Sequence, residues 1–171
     1  MSYYEEGQHK DYSEKDNNEN DPLSKQISAE FLLQIDHKCH LDVPIDEQPN
    51  RFGDWDYLIQ YEDKTLAVEA ERKIGWISTD GTFLVVSKNC PEGRIYNTVD
   101  VSKRKKKSKA DLFIMCNCTY DAICMTAMKN VLAAGTKPKD TRFGTRQEPF
   151  FKVEKSLCKF YILQNGVWQR A

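Results

Sequence analysis

The chain has 171 residues, 40% of them hydrophobic, with eight Phe, eight Tyr, three Trp and a net charge of −1. That length and aromatic content suit one domain with its own core and exclude a wholly disordered chain. No apolar run approaches the ~20 residues that span a membrane, and the opening MSYYEEGQHKDYSEKD lacks the apolar stretch of a secretory signal. An intracellular, cytoplasmic protein without a membrane partner is the expectation.

The small net charge hides a division. Residues 1–21 hold seven acids against two lysines, which leaves the remaining 150 residues at +4. So polar a segment is expected to be a disordered acidic tail, with residues 22–171 forming the single domain. Asp21-Pro22 reads as an N-cap followed by a first-turn proline, and Leu23, Ile27, Phe31 and Ile35 then recur at helical spacing to about Asp36. Glu30 falls beside that apolar stripe, an odd place for an acid.

HLDVPIDEQPNRFGD reads as an irregular connection or one short strand. YLIQY and TLAVEA are short, β-prone and separated by EDK, which predicts a hairpin. GTFLVVSKN and RIYNTVDV read as further strands, and ADLFIMCN as a strand buried on both faces. From Tyr120 the spacing turns helical, with Ile123, Cys124, Ala127, Met128, Val131 and Leu132 in one stripe and Gly135 as its stop. GTKPKDTRFGTRQEP is a loop, and FFKVEK and CKFYILQNG are closing strands. The order predicts one α+β domain around a mixed sheet.

The six cysteines form no CxxC pair, and reduced thiols are the simplest reading. Cys116, Cys118 and Cys124 have metal-ligand chemistry, but their setting favours a buried strand end.

The hairpin carries an unusual charge pattern. Side chains alternate faces along a strand, so Asp54 and Asp56 share one face, as do Glu69, Glu71 and Lys73. A two-residue loop at Asp63-Lys64 would set Asp56 opposite Glu71 and Asp54 opposite Lys73, with Cβ atoms ~5 Å apart. Opposed acids repel, so something positive belongs between them. A hard divalent cation, Mg²⁺ or Mn²⁺, suits oxygen ligands of this kind and acidifies a bound water. The competing reading is a solvated face with surface ion pairs.

These residues resemble the signature of the PD-(D/E)XK nuclease superfamily: an acid on one strand, then acid-x-Lys on the next. Asp56 matches the first acid and Glu71-Arg72-Lys73 the second element, 15 residues on. Trp55 stands where the name-giving proline would be. The resemblance covers roughly residues 22–134. It implies a restriction endonuclease-like core, a mixed β-sheet flanked by helices, and a metal-dependent phosphodiesterase acting on DNA. Asp56, Glu71 and the backbone carbonyl of Arg72 would be metal ligands, with Glu30 a further candidate, and Lys73 would assist the attacking water. Asp54 and Glu69 compete for the acid roles. Many relatives are dimers, so a homodimer is one assembly it implies.

Lys103, Arg104, Lys105, Lys106, Lys107 and Lys109 make six cations in seven residues. Such a block suits phosphate contacts, and it also resembles a nuclear-import signal, which keeps the nucleus open as a location. Lys137, Lys139, Arg142 and Arg146 around Phe143 extend the nucleic-acid reading. RNA stays open beside DNA, as does endonuclease beside exonuclease action. The rivals are a protein of this fold that binds nucleic acid without cutting it, and a protein–protein module built on the acidic tail and the basic loop.

Overall fold

The computed structural model describes residues 21–49, 54–138 and 149–171. The acidic tail therefore lies outside the described residues, apart from Asp21. Helix α1 (Asp21–Ile35) comes first, followed by strands β1 (Cys39–His40), β2 (Tyr57–Tyr61) and β3 (Lys64–Arg72). Next come β4 (Leu84–Ser87), β5 (Cys90–Ile95) and β6 (Thr98–Ser102), a 3-10 turn at Lys103–Lys107, and β7 (Leu112–Cys116). The chain continues through β8 (Ala122–Ala127), helix α2 (Met128–Ala133), β9 (Thr136–Pro138), β10 (Pro149–Glu154), β11 (Lys159–Gln164) and β12 (Val167–Arg170).

Seven strands form the main sheet, in the order β1-β2-β3-β7-β8-β11-β12. The first three make an antiparallel meander, β7 lies parallel to β3, and the strands beyond it are antiparallel. The sheet is mixed and the fold is α+β, as its sequence pattern predicts. The longer helix, α1, covers one of its faces. There α1 packs Ala29, Phe31 and Leu32 against Tyr57, Ile59, Val68, Ile114, Cys116 and Ile123. The other face meets a β-rich layer, the sheet β6-β10-β9 with the pair β4-β5, and α2 adds Met128 and Val131. Trp76, Phe83, Phe113, Met115, Phe151 and Phe160 fill that second core.

Three local expectations need correction. The stripe of α1 is rotated: Ser24, Ser28, Phe31 and Leu32 are buried, while Leu23 is 39% exposed. Ser28 sits inward because its hydroxyl shares a 2.9 Å hydrogen bond with the buried Tyr57 hydroxyl. The segment from Tyr120 is a strand before it is a helix. β8 is hydrogen-bonded on both sides, to β7 and β11, and sends Ile123 into one core and Cys124 into the other. A strand buried on both faces is apolar throughout, so its residues also satisfy a helical period. Only Met128–Ala133 is helical, ending before Gly135, whose φ of +66° suits a glycine after a helix. Cys116 and Cys124 lie in opposite cores, so those thiols and Cys118 do not form the metal cluster weighed above; all six cysteines are free thiols.

Candidate functional site

The hairpin turns one residue earlier than a loop at Asp63-Lys64 would place it. Tyr61 pairs with Lys64 and Tyr57 with Val68, so the loop is Glu62-Asp63, with Glu62 at a φ of +54°. Carrying this register one residue outward sets Asp56 level with Glu69, not Glu71. The shift is an even number of residues, so every side chain keeps its face. Tyr57 and Val68 point to the α1 core, and Asp56, Glu69 and Glu71 belong to the opposite face.

Asp56 does its own structural work there. β2 stops short of β3, and Asp56 Oδ2 accepts the Ala70 N–H at 2.7 Å. Lys73 follows directly on β3, and its N–H still donates to the Cys116 carbonyl at 2.8 Å. It extends the ladder by one residue and continues the row of Glu69 and Glu71. Arg72 takes the other side, where Nε and Nη2 donate to the Cys118 carbonyl at 3.0 and 2.8 Å and the guanidinium lies over Tyr120. Its side chain is structural, which leaves only its peptide group for any role at the site.

The positive group among the acids is a lysine from the basic block. Lys105 Nζ lies 2.6 Å from Glu69 Oε2 and 3.9 Å from Glu71 Oε2. Glu69 is 5% exposed, and Ser108 Oγ gives its other oxygen a 3.2 Å hydrogen bond. A buried carboxylate needs such company, since desolvation costs several kcal/mol unless a charge and hydrogen bonds offset it. Burial pushes Glu69 above the usual carboxylate range, and Lys105 pulls it back. Burial works to lower Lys105, but Glu71, Glu69 and Asp56 overcome it and hold the ammonium above the usual lysine range.

The rest of the basic block is tied to the same place. Lys109 Nζ lies 3.8 Å from Asp54 Oδ1, its N–H donates to the Asp54 carbonyl, and Ser108 Oγ reaches that carbonyl at 3.1 Å. Asp54 is thus paired with Lys109, and the observed register carries it level with Glu71 instead of Lys73. Lys106 and Lys107 are exposed beside this anchored stretch. Of Lys103, Arg104 and Lys137 only the backbone is described, and Lys139, Arg142 and Arg146 lie outside the described residues. Glu30 is exposed and bonded to Gln26 on α1, the helix that covers the opposite face of the sheet, so it does not join the group.

The acids Asp56, Glu69 and Glu71 thus meet Lys105, with Ser108 in support, and Lys73 follows them along the chain. Lys105 and Ser108 are the members that motif spacing missed. The hint was the block's place, directly before the apolar run that becomes β7, the parallel neighbour of β3. Three carboxylates on one face supply the hard oxygen donors that a divalent cation takes. Among the described residues no three acidic, His or Cys side chains converge as a ready ligand set, and Lys105 stands at Glu69 and Glu71. Comparison with known proteins finds no matching family model, curated protein or solved structure.

Proposed function

We propose that the chain is a divalent-metal-dependent phosphodiesterase acting on DNA, with a site of the PD-(D/E)XK type. The observation that carries this reading is the shared face of Asp56, Glu69 and Glu71, with Lys73 next in the same row. The order of elements supports it: a helix, a three-stranded meander and a crossover to a parallel strand. The crossover departs from the family pattern, because β4–β6 and a 3-10 turn take the place of its helix.

Asp56 and Glu71, with the Arg72 carbonyl, would hold Mg²⁺ or Mn²⁺, and Glu69 is the alternative acid because it lies level with Asp56. A bound cation supplies an acidified water and neutralises charge growing on the phosphoryl group. Lys73 orients the attacking water and adds positive charge where the transition state becomes more negative. Lys106 and Lys107 hold backbone phosphates, which gives affinity without sequence preference.

One observation favours a second reading, a protein of this fold that binds nucleic acid without cutting it. Lys105 already neutralises Glu69, as it would in a purely structural ion pair. Incubation with linear, circular and branched DNA in Mg²⁺ or Mn²⁺ separates the two. Cleavage abolished by EDTA, by Glu71→Gln and by Lys73→Ala is the expected result. Salt-dependent binding with no cutting of any substrate would overturn the catalytic reading and leave the binding one.

A further inference from the structure

Two thiols that play no part in the carboxylate cluster share the second core. Cys124 lies on β8 and Cys158 directly before β11, and both pack in the cluster around Trp76, Phe113 and Phe160. The sheet register explains why they meet. Cys124 pairs with Phe160, and Cys158 stands two residues before Phe160, so strand alternation puts both thiols on one face as diagonal neighbours. There the Cys124 thiol donates a hydrogen bond to Cys158 Sγ.

Their surroundings give the two sulfurs different chemistry. Cys124 is wholly buried, while Cys158 keeps 7% of its surface exposed, next to the exposed Leu157. The Cys158 thiol donates to the Glu154 carbonyl at 3.7 Å, and the Thr126 hydroxyl lies within reach of its sulfur. The bond from Cys124 outweighs burial and, with Thr126, holds Cys158 below the usual thiol range. Donating that bond, together with burial, holds Cys124 above it. Since the thiolate is the reactive form, Cys158 is the nucleophile of the pair and Cys124 the thiol that resolves its product. Cys39 is more exposed than either, but burial and the nearby Asp36 push its thiol up.

We propose that Cys158 and Cys124 form a reversible dithiol site for hydroperoxides, in which oxidation joins β8 to the start of β11. The Cys158 thiolate attacks a peroxide oxygen: an S–O bond forms, the O–O bond breaks, and the departing oxygen takes up the proton that Cys158 released, leaving as water or an alcohol. Cys124 then attacks the sulfenic sulfur of Cys158. The S–S bond forms, the S–O bond breaks, and hydroxide leaves with the Cys124 proton as water. The two thiols are oxidised, and the peroxide is reduced by the same two electrons. In a regular ladder diagonal neighbours lie ~7–8 Å apart, beyond the usual disulfide span, so closing the bond draws Cys158 towards β8. The chain there can follow, because Cys158 ends the 3-10 turn Lys155–Leu157, in which Ser156 and Leu157 are exposed. A bond closed under strain is readily reduced, which makes the pair a switch and not a permanent staple. It is independent of DNA cleavage.

Hydrogen peroxide added to the reduced full-length protein tests this with no variant. After graded exposure, remaining thiols are blocked with N-ethylmaleimide, and the unreduced digest is read by mass spectrometry. The expected first product is a Cys124–Cys158 link that dithiothreitol opens, with Cys158 consumed several-fold faster than Cys39. Cys124→Ser should stop the reaction at a Cys158 sulfenic acid that dimedone traps, and Cys158→Ser should leave Cys124 reduced. Where a variant does not fold, the wild-type product decides alone. Oxidation that begins at Cys39, Cys158 oxidised without a link to Cys124, a link that dithiothreitol leaves closed, or no oxidation of Cys158 at all each overturns the proposal.

Discussion

Lys105 is where charge, burial and stability meet. With 21% of its side chain exposed, it neutralises a glutamate that is almost wholly buried. Removing one partner of a buried pair costs more than the pair contributes, because the other charge is left without compensation. Lys105→Met should therefore lower the unfolding free energy by about 3 kcal/mol, measured by urea denaturation at pH 7 in EDTA. The pH dependence has a definite sign. The folded-state pKa of Lys105 lies above its unfolded value, so its contribution is complete below ~10.4 and is lost as pH rises towards the folded value. The stability gap between wild type and Lys105→Met should thus hold from pH 7 to 10 and narrow above that. A gap that narrows well below pH 10 would show that the pair is not what stabilises this region.

At the scale of elements, β3 is held by unlike neighbours. β2 and β7 supply ordinary ladder partners, but at Ala70 a side chain takes over as acceptor from the strand that has ended. Asp56 therefore has a structural duty and a proposed chemical one, and two substitutions separate them. Asp56→Ala leaves the Ala70 N–H without its acceptor and should cost about 1–2 kcal/mol. Asp56→Asn keeps an oxygen acceptor, so its stability should stay close to wild type. Both should abolish metal-dependent cleavage, which needs the negative charge. If Asp56→Asn still cuts DNA, Asp56 is a strand cap and Glu69 becomes the first acid.

Across the whole molecule, the basic segment is divided between two tasks. Lys105 and Lys109 are turned onto acids of the hairpin, while Lys106 and Lys107 stay exposed. Counting charges along the chain would credit all six cations to nucleic acid; the fold assigns two of them to the protein itself. No helix among the described residues is long and apolar enough to cross a membrane. On the DNA-binding reading, Lys106→Ala with Lys107→Ala should weaken affinity equally for unrelated sequences. The slope of log K against log salt should fall by about 2, close to one per lost phosphate contact. An unchanged slope would place the DNA elsewhere on the molecule.

The sequence by itself determined the faces. Strand alternation puts Asp56, Glu69 and Glu71 on one side and Val68 and Ala70 on the other, whichever even loop closes the hairpin, because that period is a property of the backbone. It also showed that opposed acids here need a positive partner. Only the tertiary structure decided that Glu69 lies level with Asp56, that residues 122–127 are a strand, and that the positive partner is Lys105. Each of these depends on pairing between segments distant along the chain. Local spacing carries no record of such pairing, since packing and loop closure select it among registers and periods that the same residues satisfy equally well.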